Sequence, residues 1–257
     1  MEGLSDPGKL LTALNADGEQ LWHLLQDRDR QVLANLLKNP ALNEEHLLAL
    51  LRRRDLDETF LKKLYQRFRE GASHRLLVAM ARHPSLPAPM FLALIPHLYL
   101  FELLDICLLP GHTQDQRLAA ERQILKRLAE IPLGQKLTLA RRGTTGILAA
   151  LVAEGNAQVL SVCLDNPRLK EAALLQFLRG SKAGAETISL IARHPRWQNR
   201  PRLRLAILKH PNTPMVWYVA WKRQLNRAQI SELLASRRLP AARRNQLREL
   251  FHPRTRS

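Results

Sequence analysis

The sequence predicts an all-α protein in which pairs of helices stack into a solenoid. One pattern occurs four times along the chain, anchored on Pro40, Pro84, Pro167 and Pro211. Leu, Ala and Arg dominate the composition and only 5% of the residues are aromatic, which favours helix over sheet. A sustained alternation of apolar and polar residues, which would indicate strands, occurs nowhere. These observations together predict helices along the whole chain.

Apolar residues stand at fixed distances from each of the four prolines. The residues eight positions before each proline are Val32, Leu76, Val159 and Leu203. The residues four positions before it are Leu36, Met80, Cys163 and Ile207. The residues seven positions after each proline are Leu47, Phe91, Leu174 and Tyr218. The residues ten positions after it are Leu50, Leu94, Phe177 and Trp221. Such spacing on both sides of a proline predicts two amphipathic helices that bury these sixteen side chains.

The prolines also define a repeat length. The first two are 44 residues apart, and so are the last two, a length in the range of HEAT and armadillo repeats, which have two or three helices. A further helix is therefore predicted inside each interval, over residues 57–69 and residues 186–194. Asp55 or Asp57 is the expected N-cap of the first of these, because its carboxylate can accept a hydrogen bond from a free backbone N–H.

The middle of the chain, residues 99–154, lacks the proline marker. A short helix pair is still predicted there, over residues 136–142 and residues 145–153, split at Gly143. We therefore interpret this part of the chain as degenerate repeats.

The predicted organisation has three parts. An N-terminal cap segment occupies residues 1–18, a single HEAT-like repeat domain residues 19–250, and a basic tail residues 251–257. Charge divides the domain into a neutral part, residues 19–130, and a basic part, residues 131–250. Over the whole chain, residues 1–130 sum to zero and residues 131–257 carry the net charge of +17.

The basic half predicts an anionic partner. Between residue 191 and the C-terminus, 16 Lys and Arg residues are balanced only by Glu232 and Glu249. The partner expected from this imbalance is a nucleic acid, an acidic protein or a lipid surface. A solvated face that only keeps the protein soluble is the alternative.

One segment of the basic half combines basic and aromatic residues. Guanidinium groups there could hold phosphate or carboxylate oxygens with two bonds each, and exposed indole rings could stack on unpaired bases. Trp197 and Trp217 are expected to be exposed, whereas Tyr218 and Trp221 stand at repeat core positions. The predicted ligand-binding residues are Arg193, Arg196, Trp197, Arg200, Arg202, Arg204, Lys209, Trp217, Arg223 and Arg227.

Motifs of enzymes and metal sites are missing from the sequence. It has no His-Glu-x-x-His, no paired Cys-x-x-Cys, no Gly-x-Gly-x-x-Gly and no phosphate loop. We therefore predict no catalytic residue, no metal site, no cofactor and no enzymatic activity.

Asn or His precedes six of the fifteen prolines, and five of these steps lie within the predicted repeat domain. A residue before proline is driven out of the helical conformation, so the preceding helix must end there. Its polar side chain can then bond the free carbonyl groups nearby. We interpret these residues as helix boundaries and not as catalytic groups; they are Asn39, His83, Asn166, His194 and His210.

The cysteines and the apolar stretches predict the location of the protein. Cys107 and Cys163 lie in apolar segments and are expected to be buried, reduced thiols. The N-terminus does not resemble a secretory signal, and prolines and charges interrupt the most apolar stretch, residues 86–110. A cytoplasmic protein without a transmembrane segment is therefore expected.

Three segments, residues 133–142, 164–169 and 194–197, resemble a group of bacterial HEAT-like repeat proteins. The Asn-Pro and His-Pro steps also resemble leucine-rich-repeat-variant units. The resemblance covers most of residues 29–250, and it implies an α-solenoid without catalytic residues.

Two functional hypotheses follow. The first is a non-enzymatic scaffold that binds a protein partner, with an acidic ligand on the C-terminal repeats. The second is a nucleic-acid-binding repeat protein that is similar in length and charge to the HEAT-like-repeat alkylpurine DNA glycosylases. Those enzymes bind DNA in a groove lined by Trp and Asp, and here Trp217 and Trp221 have no neighbouring Asp. Attachment to a membrane surface through residues 226–250, which match a basic amphipathic helix only weakly, is a third possibility.

Overall fold

The computed structural model describes residues 7–251, and this part of the chain is all-α. It contains eighteen α-helices and three short 3-10 helices, and no strand within residues 7–251. The predicted fold class is therefore confirmed at the level of an all-α protein. Of the predicted basic tail, residues 252–257 lie outside the described residues.

The chain divides between Lys126 and Arg127 into two compact units. Unit 1 precedes this boundary and unit 2 follows it. The helices up to the boundary are α1 (Pro7–Asn15), α2 (Gly18–Leu24), α3 (Arg30–Leu36), α4 (Glu44–Leu51), α5 (Glu58–Phe68), α6 (His74–Ala81), α7 (Ala88–Leu94), α8 (Leu100–Leu108) and α9 (Gln114–Arg127), with a 3-10 helix at Ile95–His97. In unit 1, α1 packs on α3, α3 packs on α5, and α4 packs on α6.

Unit 2 shows the same arrangement over a longer series. Its helices are α10 (Leu133–Arg142), α11 (Thr145–Glu154), α12 (Ala157–Asp165), α13 (Glu171–Arg179), α14 (Ala185–Arg193), α15 (Pro201–Leu208), α16 (Met215–Trp221), α17 (Arg227–Leu234) and α18 (Ala241–Phe251), with 3-10 helices at Leu128–Glu130 and Lys222–Gln224. One row is formed by α10, α12 and α14, and a second row by α11, α13, α15 and α17. Within these two rows each helix therefore packs on the next helix but one.

The core consists of the side chains that the proline pattern predicts. All sixteen positions are buried, and none is more than 5% exposed. Burying a side chain the size of Val, Leu or Phe contributes about 1.5–3 kcal/mol, so this repeated pattern accounts for a large part of the stability. Cys107 and Cys163 are also buried and unpaired, as predicted.

The additional helices are confirmed close to their predicted bounds. The carboxylate of Asp57 accepts a hydrogen bond from the Phe60 amide (2.8 Å), so Asp57 is the N-cap of α5. The second predicted helix is α14. The pair in the middle of the chain is α10 and α11, and Gly143 lies between them. A residue with a side chain would not fit at this position, because its Cβ atom would lie 2.6 Å from the carbonyl oxygen of Leu139.

The 44-residue spacing of the prolines is not the packing repeat of the structure. Three helices lie between Pro40 and Pro84, and three lie between Pro167 and Pro211. Because helices alternate between two rows, an odd number places successive proline-marked helices in opposite rows. Thus α12 packs on α10 and α14, whereas α15 packs on α13 and α17. The packing repeat is a helix pair, since a proline ends a helix in either row.

The side chain of Asn166 joins the ends of two helices in the same row. Its Nδ2 donates to the carbonyl oxygens of Ala140 (2.8 Å) and Arg141 (2.9 Å) in α10, and its Oδ1 accepts from the amide of Arg168 (2.9 Å). Asn39 bonds the end of α1 in the same manner. The asparagine before the proline therefore satisfies carbonyl groups that the end of a helix leaves free.

Histidine performs the same task at other boundaries. In His83, Nδ1 accepts from the Ser85 amide (3.2 Å), and Nε2 donates to the Arg53 carbonyl (2.8 Å). His194 and His210 also accept the amide N–H of the residue two positions later. The interpretation of these residues as helix boundaries is confirmed. Burial lowers the pKa of both His83 and His210 below its ordinary value of 6.5.

Replacing Asn166 by Ala should destabilise the protein by roughly 2–4 kcal/mol, because the carbonyls of Ala140 and Arg141 and the amide of Arg168 lose their partner. Urea denaturation followed by circular dichroism measures this. Asn199→Ala is the matched control: Asn199 lies in an exposed turn of the same unit, so its loss should stay within about 0.5 kcal/mol. Equal losses in the two variants would contradict the structural role of Asn166.

Stability should fall as the pH decreases below 6.5, because His83 and His210 are held neutral in the folded state and the unfolded chain takes up the protons first. The stabilisation that comes from keeping these two histidines neutral is complete above pH 6.5 and is lost on acidification. In the double variant His83→Asn/His210→Asn, an amide supplies the donor without titrating. Urea denaturation between about pH 5 and pH 7.5 should show a smaller loss for the variant. If the free energy of unfolding falls equally steeply with decreasing pH in the variant and the wild type, these two histidines are not the source of the pH dependence.

Candidate anion-binding edge

The turns at one end of unit 2 are joined into a continuous edge. Nη1 of Arg168 donates to the Arg142 carbonyl (3.3 Å), and Nη1 of Arg196 to the Asn166 carbonyl (2.6 Å). The guanidinium of Arg204 lies 5.3 Å from the ring centroid of Trp221. These contacts link the turns after α10, α12, α14 and α16. We call this surface the basic edge; it comprises residues 141–145, 166–170, 193–204 and 221–227.

The basic edge is strongly positive. Its four segments contain twelve Lys and Arg residues and no Asp or Glu. Two carboxylates border it: Asp165, whose Oδ1 lies 3.1 Å from Nε2 of His194, and Glu171 at the start of α13. Eight of the ten residues predicted from the sequence are therefore brought together here, and Lys209 and Trp217 lie outside the edge.

Arg196 has a structural task within this edge. Besides its bond to Asn166, its Nη2 donates to the carbonyls of Pro167 (3.1 Å) and Leu169 (3.0 Å). Its guanidinium also lies 4.5 Å from the ring centroid of Trp197. The planar fork of five donors makes such a multiple contact possible for arginine and not for lysine.

The expectation that Trp197 is exposed was wrong. Its side chain is 3% exposed, and its Nε1 donates to the carbonyl of Leu164 (3.1 Å) at the end of α12. The indole fills the space between two successive turns, so it cannot stack on a ligand. The turn is closed by this contact, which the sequence around Trp197 alone does not reveal.

The other aromatic residues lie along α16. Tyr218 and Trp221 are buried as predicted, and the Tyr218 hydroxyl donates to the Leu208 carbonyl (2.7 Å). Trp217 is half-buried: its Nε1 donates to Oγ of Ser189 in α14 (3.0 Å), and its ring centroid lies 5.3 Å from that of Trp221. The Trp217 indole is therefore held against α14 and Trp221, and only part of its surface is accessible.

Besides Arg196, two predicted cations have partners within the chain. Nη2 of Arg204 donates to the Gln198 carbonyl (2.9 Å), and burial lowers the pKa of this guanidinium. Lys209 forms an ion pair with Glu232. It follows the C-terminal end of α15, whereas the N-terminal end of α15 lies at the basic edge. The structure therefore places Lys209 away from the other predicted binding residues.

Five predicted arginines remain exposed. Among the described residues they have neither a carboxylate within ion-pair distance nor a carbonyl partner for the guanidinium; they are Arg193, Arg200, Arg202, Arg223 and Arg227. They lie in and beside turns that other arginines hold in place. The edge can thus present guanidinium groups to an anion from a fixed backbone.

Sequence reasoning missed four further exposed cations at this edge, Arg141, Arg142, Arg168 and Lys170. The sequence contains a signal for Arg168, because this arginine follows Pro167 directly, as Arg196 follows Pro195. The signal is weak because residues 141–170 contain no aromatic residue beside these cations.

The two cysteine thiols are protected by burial. Burial raises the pKa of Cys107 and of Cys163 to about 12, so both thiols are protonated at neutral pH. Within residues 7–251, His, Cys, Asp and Glu form no group of three that could hold a metal ion. In the same residues, no helix has the length and apolar character needed to cross a bilayer.

Comparison with known proteins identifies no relative: no family model, no curated protein and no solved structure matches the chain.

Arg196→Ala should lower the free energy of unfolding by about 2 kcal/mol, because three carbonyl groups lose a charged donor. Arg193→Ala, which removes an exposed guanidinium at the end of the preceding helix, should change it by less than about 0.5 kcal/mol. Arg196→Lys should be intermediate, since the charge remains and the fork is lost. Chemical denaturation measures the free energy of unfolding of all three variants. A decrease in Arg193→Ala as large as in Arg196→Ala would contradict the assignment of a structural role to Arg196 alone.

Proposed function

We propose that this chain is a non-enzymatic α-solenoid of HEAT-like repeats that serves as a scaffold and binds an acidic protein partner along the basic edge. The observation that carries the proposal is the set of exposed arginines without a partner at this edge. Their position at one end of stacked helices gives a long, one-signed surface, which attracts an anionic partner and orients it.

The packing of each helix on the next helix but one supports the solenoid part of the proposal. In repeat proteins of this class each unit contacts only its neighbours, and the core is continuous. The bonds from Asn39 to α1 and from Asn166 to α10 connect successive turns in the manner that such stacking requires.

A fixed backbone favours binding. Arg196 and Arg168 hold the turns of the edge through bonds to backbone carbonyls, so less conformational freedom is lost when a ligand binds to the exposed arginines beside them. Arginine forms paired, charge-assisted hydrogen bonds with carboxylates, which suits Glu and Asp side chains of a partner.

The scaffold function uses no reacting group and no cofactor. The buried, protonated thiols of Cys107 and Cys163 and the boundary role of His83, His194 and His210 are in keeping with this part of the proposal. Two unpaired cysteines favour a reducing compartment, and we propose the cytoplasm.

A second candidate is binding of duplex nucleic acid. Guanidinium groups that occur turn by turn also fit a phosphate backbone. The buried indoles of Trp197 and Trp221 leave little aromatic surface for unpaired bases, so this candidate is contact with phosphates and not the base-modifying groove of the glycosylases.

The test compares two double charge reversals of equal size. Arg202→Glu/Arg227→Glu changes the basic edge at the first turns of α15 and α17, where a carboxylate is favourable for the helix. Lys38→Glu/Lys63→Glu changes exposed lysines of unit 1. Binding of fluorescent polyglutamate and of a duplex DNA is measured by anisotropy at increasing salt concentrations.

We expect the edge variant to bind polyglutamate at least roughly tenfold more weakly than the wild type and the control variant to change little. Tighter binding of the duplex, with a log–log salt slope near −5 as for about six phosphates, would favour the second candidate. Equal losses in the two variants, or no binding by the wild type at low salt, would overturn the proposal.

A further inference from the structure

An exposed apolar face lies on α16, directly beside the basic edge. Val216 is 62% exposed and Val219 is 58% exposed. In the described part of the chain, no other helix carries two large hydrophobic residues that are exposed to this degree. Scattered single residues of this kind are ordinary, whereas a pair on one face indicates a contact surface.

The exposed residues of α16 follow the period of the helix. Val216, Val219 and Ala220 are exposed at successive turns, and Arg223 continues the same line beyond the helix. Buried Tyr218 occupies the opposite side. This face is therefore apolar at its start and basic at its end.

The packing of α16 keeps this face pointing away from the core. The bond from Trp217 to Ser189 attaches α16 to α14, and the bond from the Tyr218 hydroxyl to the Leu208 carbonyl attaches it to α15. Arg193, the last residue of α14, lies at the same edge as Arg223. Apolar and basic groups are thus presented together on a fixed surface.

We propose that this surface docks an amphipathic helix of the partner protein. Apolar side chains on one face of that helix cover Val216 and Val219, and acidic side chains beside them meet Arg193 and Arg223. Helices bind grooves and faces of other proteins in this way, through apolar anchors at helical spacing, and complementary charge at the rim sets the orientation. The inference rests on the proposed function, since it specifies the partner that the basic edge receives.

Charge and shape favour a helix over a lipid surface here. An interfacial membrane helix inserts a long apolar face and lies free on the surface. The seven-residue α16 is fixed on its buried side, and its two valines adjoin arginines within two turns. A second helix with acidic residues matches both parts of this surface.

The experiment uses the full chain and three helix-promoting peptides of equal length. The first has Leu at positions i, i+3, i+4 and i+7 with Glu on the flanks. The second replaces Leu by Gln, and the third replaces Glu by Lys. Binding is measured by anisotropy for the wild type, Val216→Ser/Val219→Ser and Arg223→Glu. The indole N–H resonance of Trp217 reports whether binding occurs beside α16.

We expect the acidic amphipathic peptide to bind and to shift the Trp217 resonance, and each variant to weaken binding by at least roughly tenfold. The Gln and Lys peptides should bind far more weakly. If Arg223→Glu weakens binding and Val216→Ser/Val219→Ser does not, the inference fails and the proposed function stands. If neither variant has an effect, the inference fails, and the Arg202→Glu/Arg227→Glu variant alone decides the proposed function.

Vesicles with and without an anionic phospholipid complete the test. Binding of the wild type to anionic vesicles that is lost in Val216→Ser/Val219→Ser, without binding of the acidic peptide, would assign the face to a membrane and overturn the inference. We expect no vesicle binding.

Discussion

The structure depends on the hydrogen bonds that the side chain before a proline makes with the end of a neighbouring helix. Proline ends its own helix, and the neighbouring helix leaves carbonyl groups without a partner. Asn39, His83 and Asn166 satisfy such carbonyls from a buried position. One residue therefore ends one helix and fixes the position of another, so the register between successive turns is set by buried polar groups as well as by apolar contacts.

Arginine extends the same principle in unit 2. Arg196 bonds three backbone carbonyls, Arg238 bonds that of Leu178 (2.8 Å), and Arg243 bonds that of Thr213 (3.1 Å). A cation near the end of a helix is also favoured by the helix dipole. Part of the positive charge of the chain therefore stabilises the fold itself. The charges that remain for a ligand are those of the exposed arginines.

The local features of the fold could be predicted from the sequence and the long-range ones could not. The sixteen core positions follow from helical periodicity, and the N-cap Asp57 from the chemistry of a single turn. The burial of Trp197 depends on the Leu164 carbonyl in the preceding turn, which no local pattern contains. The basic edge was predicted only in its C-terminal part, because Arg168 joins Arg196 through the stacking of α12 and α14.

The number of helices between two prolines explains the position of Lys209. The sequence pattern treats α12 and α15 as equivalent, yet α15 is the third helix after α12. Because the chain reverses its direction at each helix, the C-terminal ends of α12 and α15 lie on opposite sides of unit 2. At the end away from the basic edge, Lys209 pairs with Glu232 and Lys136 with Glu154. At the basic edge, Arg200 and Arg202 have no such partner in the described chain. A surface that served solubility alone would not need this division, whereas an anionic ligand requires that the arginines of one end stay unneutralised.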